Sequence, residues 1–156
     1  MNNPSRFLLH VPVPWVFVLA YLIGVIPELR HSSLIPASAV RGSALVGAVF
    51  FALGAIIAGW ALIIFHKAKT TTVPGKSSTR LVTWGPYRFT RNPMYVALTL
   101  AFIGEAGLMK QIWPLLMLPL VLAYVQWIVI PLEESKLKEV FGEQYEQYCS
   151  RVRRWA

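Results

Sequence analysis

Four stretches of the chain are rich in apolar residues and almost free of charge, and polar segments separate them. The first runs from Val11 to Ile26, with Pro12 and Pro14 near its start. Ala44 to Phe65 follows with 22 uncharged residues, enough at about 1.5 Å rise per residue to cross a hydrocarbon core of about 30 Å. Met94 to Met109 is interrupted by Glu105, and Ile112 to Leu132 carries Pro114, Pro119 and Gln126. Spans are therefore predicted near residues 11–29, 44–65, 94–109 and 112–132, the last two as a tight helical hairpin. Past Leu132 the chain becomes charged, while Leu137, Val140, Phe141, Tyr145, Tyr148, Val152 and Trp155 recur at steps of three and four. That spacing predicts an amphipathic helix over 133–155, either flat on the membrane or capping a site between the spans. The pattern as a whole is all-α: a polytopic membrane helix bundle of about four transmembrane helices, forming a single domain over 1–156.

Composition agrees. Of 156 residues, 56% are hydrophobic and 14% charged, with mean hydropathy +0.53, against about 45–50% and about 25% in soluble domains. A water-soluble globule and a disordered chain are both excluded. Fifteen Lys and Arg face seven Glu, and Asp is absent, so the +8 charge points to nucleic acid or to an anionic lipid surface. Four crossings put twelve of the fifteen cations on one side, leaving Arg30, Arg41 and Lys110 on the other. The positive-inside rule then places both termini and the 66–93 loop in the cytoplasm, across a bacterial-type inner (plasma) membrane. Topology accounts for the charge, and no nucleic-acid partner is expected. No small-residue cleavage site follows the first apolar stretch, so it should stay as a helix. Cys149 is the single cysteine, which leaves a free thiol and no disulfide or cysteine-rich zinc site.

In the second span, Gly54-x-x-x-Ala58 and Ala55-x-x-x-Gly59 allow close helix approach. Packing inside the bundle and a homodimer seam both fit that spacing. The segment Leu81-Val82-Thr83-Trp84-Gly85-Pro86-Tyr87-Arg88-Phe89-Thr90-Arg91-Asn92-Pro93-Met94-Tyr95 leads from the basic loop into the third span. Gly85-Pro86 predicts a turn, Asn92 a helix N-cap and Pro93 the first helical residue. Arg91 at the helix entrance, flanked by tyrosines, suits an anion attached to something flat or cationic, and equally suits interfacial anchoring. Glu133-Glu134 follow the fourth span. Two carboxylates there favour the positive end of a helix dipole, or bind a cation. Should the loop fold over the ends of spans three and four, Arg91 and this pair meet in one cleft.

Thr79-Arg80-Leu81-Val82-Thr83, Gly85-Pro86-Tyr87, Arg91-Asn92-Pro93-Met94-Tyr95, and then Glu133-Glu134 with Phe141-Gly142-Glu143-x-Tyr145-x-x-Tyr148 form an ordered set over residues 66–155. This set resembles the isoprenylcysteine carboxyl methyltransferase and phospholipid methyltransferase superfamily of integral membrane enzymes. The resemblance implies a non-Rossmann S-adenosylmethionine site, and the chain has no G-x-G-x-x-G. It implies cofactor contacts from Thr79, Arg80, Leu81, Val82, Tyr87, Asn92, Pro93, Met94, Tyr95 and Glu133. Asn92 stands where many relatives have His. Relatives that methylate a prenylated cysteine carry an arginine shortly before the Glu pair, whereas Trp127, Ile128, Val129 and Ile130 are uncharged here, which counts against that substrate.

The implied function is S-adenosylmethionine-dependent methyl transfer to a small or lipophilic acceptor at the cytoplasmic membrane face. Arg91 is the expected holder of the cofactor's carboxylate or of an anionic acceptor. Glu134 is the nearest base for an amine, thiol or phenol. Tyrosine faces suit the sulfonium, and Glu133 suits ribose hydroxyls or the ammonium. Membrane lipids are expected neighbours, and oligomerisation through the small-residue faces is open. Two competing expectations are a membrane reductase with a nicotinamide cofactor, and a non-enzymatic transport or assembly protein. Glu105 reads as a loop or snorkelling residue and His66 as interfacial, and no metal is expected.

Overall fold

The structure is a computed structural model that describes residues 12–30, 40–68 and 80–155. All regular structure among these residues is helical: α1 (Val13–Arg30), α2 (Val40–Ala68), α3 (Pro93–Leu108), α4 (Leu118–Tyr124), α5 (Ile130–Phe141) and α6 (Glu143–Arg151). Short 3-10 turns stand at Gly85–Arg88 and Trp113–Leu116, and a π-helical turn at Val125–Val129 joins α4 to α5. Arg41–Ala68 and Trp113–Phe141 are long and apolar enough to cross a membrane, and Val13–Leu29 and Pro93–Leu108 are shorter apolar helices. Leu45, Val49, Leu53 and Ile56 stand exposed along α2. Such an unbroken apolar surface suits lipid and would be costly in water.

Glycines set the pairing of α2 with α3. A Cβ on Gly47 would lie 2.5 Å from the backbone nitrogen of Leu108, and one on Gly54 would lie 2.7 Å from the carbonyl oxygen of Ala97. Any larger residue would force these two backbones apart. A Cβ on Gly59 would meet nothing within 4 Å among the described residues, so Gly54 serves packing inside the bundle while the Ala55–Gly59 face points away from it.

The third and fourth spans do not form the expected tight hairpin. α3 packs on α2, and the start of the fourth span packs on α1 instead. Gly24 makes that contact possible, because a Cβ there would sit 2.5 Å from Cα of Pro114. α1 wedges Val13, Phe17 and Tyr21 into a core shared with Phe102 and Ala106 of α3 and with Leu118, Val121 and Val125. Phe17 and Tyr21 both meet Phe102 edge to face, a favourable ring geometry. The Tyr21 hydroxyl donates to Gln111 Oε1 at 3.0 Å. The wedge splays α3 from α4 and leaves a cleft between them.

The C-terminal helix also departs from expectation. Helix continues from the fourth span through Glu133 and Glu134 to Phe141, so 133–155 is not one separate helix. Pro131 is tolerated because the π-helical turn immediately before it widens the helix where the proline ring would strike the carbonyl four residues back. The break falls at Gly142, whose φ of 51° suits glycine alone. α6 then turns back, Tyr145 and Tyr148 are buried, and Val140 of the expected apolar stripe is left exposed.

Candidate active site

Both polar patches lie at one end of the bundle. Pro93, fully buried, begins α3 as expected. Asn92, with φ −126° and ψ 52°, stands at the expected N-cap position and its carbonyl accepts from the N–H groups of Tyr95 and Val96, but its side chain makes no cap. Its Nδ2 donates instead to the carbonyl of Arg154 at 3.0 Å, which also accepts from Thr90 Oγ1 at 2.7 Å. The tail that supplies this carbonyl also accepts from the backbone N–H of Arg91, through Arg153 O at 2.9 Å. Residues 152–155 thus strap across the entrance of α3.

A charge network lies beneath the strap. Glu134 accepts two hydrogen bonds from Arg154, Nε to Oε1 at 3.0 Å and the terminal nitrogen to Oε2 at 2.6 Å. Arg91 reaches the same Oε1 at 3.3 Å and also donates to Cys149 Sγ. The bond to Glu134 raises the Arg154 guanidinium above its ordinary range. Two guanidiniums on one carboxylate leave Glu134 little freedom to accept a substrate proton, while they fix both arginines. Among the described residues Arg91 Nε is buried without a partner, so this side chain keeps one unused donor in a dry environment.

Glu133, one residue earlier, points to α3, and Tyr95 donates its hydroxyl to Oε1 at 2.8 Å. Tyr87 is buried edge-on against Phe65 of α2, and its carbonyl accepts from the Tyr148 hydroxyl at 2.7 Å. Burial is the main reason the phenols of Tyr87, Tyr145 and Tyr148 are pushed well above their ordinary value, so all three remain neutral donors.

The structure therefore brings together Arg91, Asn92, Tyr95, Glu133 and Glu134, with Tyr87 adjoining. Val82 and Met94 pack beside Tyr87 on the end of α2, with Ala61, Ile64 and Ala68; Leu81 is half-buried and Arg80 exposed. Thr79 lies outside the described residues. Sequence reasoning missed Thr90, Gln126 and Cys149, and it left the C-terminal segment either flat on the membrane or capping a site, with no pairing of Arg154 to Glu134. The run Arg151, Arg153, Arg154 signals only a basic surface, because nothing in it reveals that the chain doubles back.

No curated protein and no solved structure matches the chain. The phospholipid methyltransferase family model matches residues 43–144, a segment that takes in α2, the motif loop, α3, the fourth span and the Glu pair. Well over half of the sequence lies inside that match, and the chain belongs to the phospholipid methyltransferase family, membrane methyltransferases, as the ordered motifs implied.

Proposed function

We propose that this protein transfers a methyl group from S-adenosylmethionine to a small or lipophilic acceptor at the cytoplasmic face of the membrane. One observation carries the reading: segments some forty residues apart meet at one end of the bundle, with Tyr95 on Glu133 and Arg91 on Glu134. When bound, S-adenosylmethionine supplies a methyl made electrophilic by a sulfonium. The residues present fit such a group. Arg91 Nε is an orphaned donor suited to a carboxylate. Glu133 has one oxygen fixed by Tyr95, and its second can accept from a hydroxyl or an ammonium. The buried phenol ring of Tyr87 offers a π face suited to a cation.

The rest of the chemistry is positioning and exclusion of water, since in-line displacement requires a nucleophile held at the right distance and little else. The Arg91–Glu134–Arg154 network holds the anion-binding guanidinium in one orientation. Thr90, Asn92 and the strap at 152–155 shield that end from solvent. Glu134, gripped by both arginines, suits orientation better than proton removal, so an acceptor that needs a base draws it from water or from Glu133. The twelve cations on the motif side support the cytoplasmic assignment.

Calorimetry on detergent-purified protein with S-adenosylmethionine, its demethylated product and NADPH tests the reading. The first two should bind and NADPH should not. Glu133→Gln should weaken binding about tenfold, which is about 1.4 kcal/mol. Binding of NADPH alone, or of none of the three, overturns the proposal.

A further inference from the structure

Between α3 and α4, where the α1 wedge splays them, lies a cleft of about 550 Å³ lined by Val96, Leu100, Pro119, Leu122, Ala123 and Trp127, with Thr99, Gln126 and Trp155. Its size falls in the range of about 300–1,000 Å³ found for small-molecule sites. Among the described residues no charged side chain lines it. The Thr99 hydroxyl is already used, donating to the Tyr95 carbonyl at 2.8 Å within α3. Two polar groups remain, and they face each other: Trp155 Nε1 donates to Gln126 Oε1 at 2.7 Å. That bond ties the C-terminal strap to the π-helical turn of the fourth span, and it fixes the Gln126 amide with its oxygen occupied. Gln126 Nε2 has no protein partner among the described residues.

We infer that Gln126, oriented by Trp155, is a specificity-determining residue for the methyl acceptor. Its free N–H donates to an oxygen at the junction of an uncharged apolar chain and the acceptor's reacting head. This inference rests on the reading that the protein methylates a lipophilic acceptor. The occupant is a long-chain lipid with a carbonyl, ether or hydroxyl oxygen at that junction. Three features select it. The lining is apolar on both helices, which excludes a charged chain. Trp127 of the lining is 74% exposed and belongs to a helix long and apolar enough to cross a membrane, so the occupant is borne by the bilayer. Gln126 is half-buried, and an amide N–H there without a partner discriminates against a ligand that cannot accept from it. Trp155 is a positioning residue: without its N–H the amide is free to flip and present its oxygen instead.

The test uses the full chain in lipid nanodiscs with two photoreactive probes, an octadecanoic methyl ester carrying a diazirine a few carbons from the ester group and the hydrocarbon of the same length with its diazirine at the matching carbon. Labelled residues are located by mass spectrometry. In the unaltered protein the ester should label Thr99, Leu122 and Ala123 roughly three- to tenfold more than the hydrocarbon, the ratio expected of one net hydrogen bond. Both probes should label the outer face of α2 equally, as lipid alone requires. Gln126→Leu should abolish the preference, and Trp155→Phe, which keeps the ring and loses the N–H, should reduce it without reducing total labelling. Equal labelling by the two probes in the unaltered protein, or an unchanged preference in Trp155→Phe, overturns the inference. Calorimetry with S-adenosylmethionine on the same preparation separates the two ideas, because failure of cofactor binding removes the methyltransferase reading and leaves the probe preference to be judged on its own.

Discussion

Glu134→Gln removes one charge and almost no volume from the centre of the site. Both carboxylate oxygens are engaged, by Arg154 at 2.6 and 3.0 Å and by Arg91 at 3.3 Å. The substitution leaves two guanidiniums facing a neutral amide: its oxygen can still accept from both, but its NH2 group, standing where Oε2 stood, meets the Arg154 terminal nitrogen as a second donor. Breaking a fully buried pair costs about 3–5 kcal/mol, and an exposed pair contributes about 0–1 kcal/mol. Side-chain exposures of 14% for Arg91, 19% for Glu134 and 35% for Arg154 place the network between these limits. An intermediate loss of about 2 kcal/mol is expected, or roughly 4–8 °C in melting temperature for a chain of this size. Hydrogen exchange at the Arg91 amide, which donates to Arg153 O, should quicken in parallel, because the strap loses the ion pair that anchors it. A double-mutant cycle with Arg154→Gln should return a coupling of about 1 kcal/mol. A melting temperature within about 1 °C of the original, with unchanged exchange at Arg91, refutes the view that Glu134 holds the site together.

The glycines of α2 separate packing from exposure. Gly47→Ala should lower the melting temperature in detergent because its Cβ meets the Leu108 backbone, whereas Gly59→Ala, with open space around it, should leave stability unchanged or raise it by about 1 kcal/mol; the reverse order would show that α2 and α3 are not paired as described. Alkaline pH supplies a further check. The phenols of Tyr87, Tyr145 and Tyr148 titrate well above 10.0 in the folded protein, chiefly through burial. Their stabilising contribution is therefore complete below about pH 10 and is lost as pH rises toward the folded values. Melting temperature should fall above about pH 10, and Tyr148→Phe, tested by the same melts, should flatten that fall. An equal slope in the variant assigns the alkaline transition to other groups.

What the sequence made legible follows the reach of each physical signal. Hydrophobic runs report a helix that must satisfy its backbone bonds internally in lipid, so four apolar helices could be placed within a few residues. Which helix packs on which is decided by the volume of single residues. Gly24 admits Pro114, and Gly47 and Gly54 admit α3; those contacts turned the expected α3–α4 hairpin into a cleft. Asn92 and Pro93 have the residue types of a helix start, and Pro93 behaves so. Asn92 holds the N-cap position through its backbone carbonyl, while its side-chain amide donates to a carbonyl 62 residues away. The same distance hid Arg154 and Trp155: periodicity can describe a helix, yet it carries no information about a tail that leaves the helix at Val152 and folds back. The motif residues could be found because chemistry confines their types and order, while the residues that hold them in place could not, since a backbone carbonyl or a half-buried thiol will serve from any sequence. A site of this kind is therefore expected to tolerate drift in its strap as long as a carbonyl still reaches Thr90 and Asn92, and to tolerate none in the carboxylate that binds both arginines.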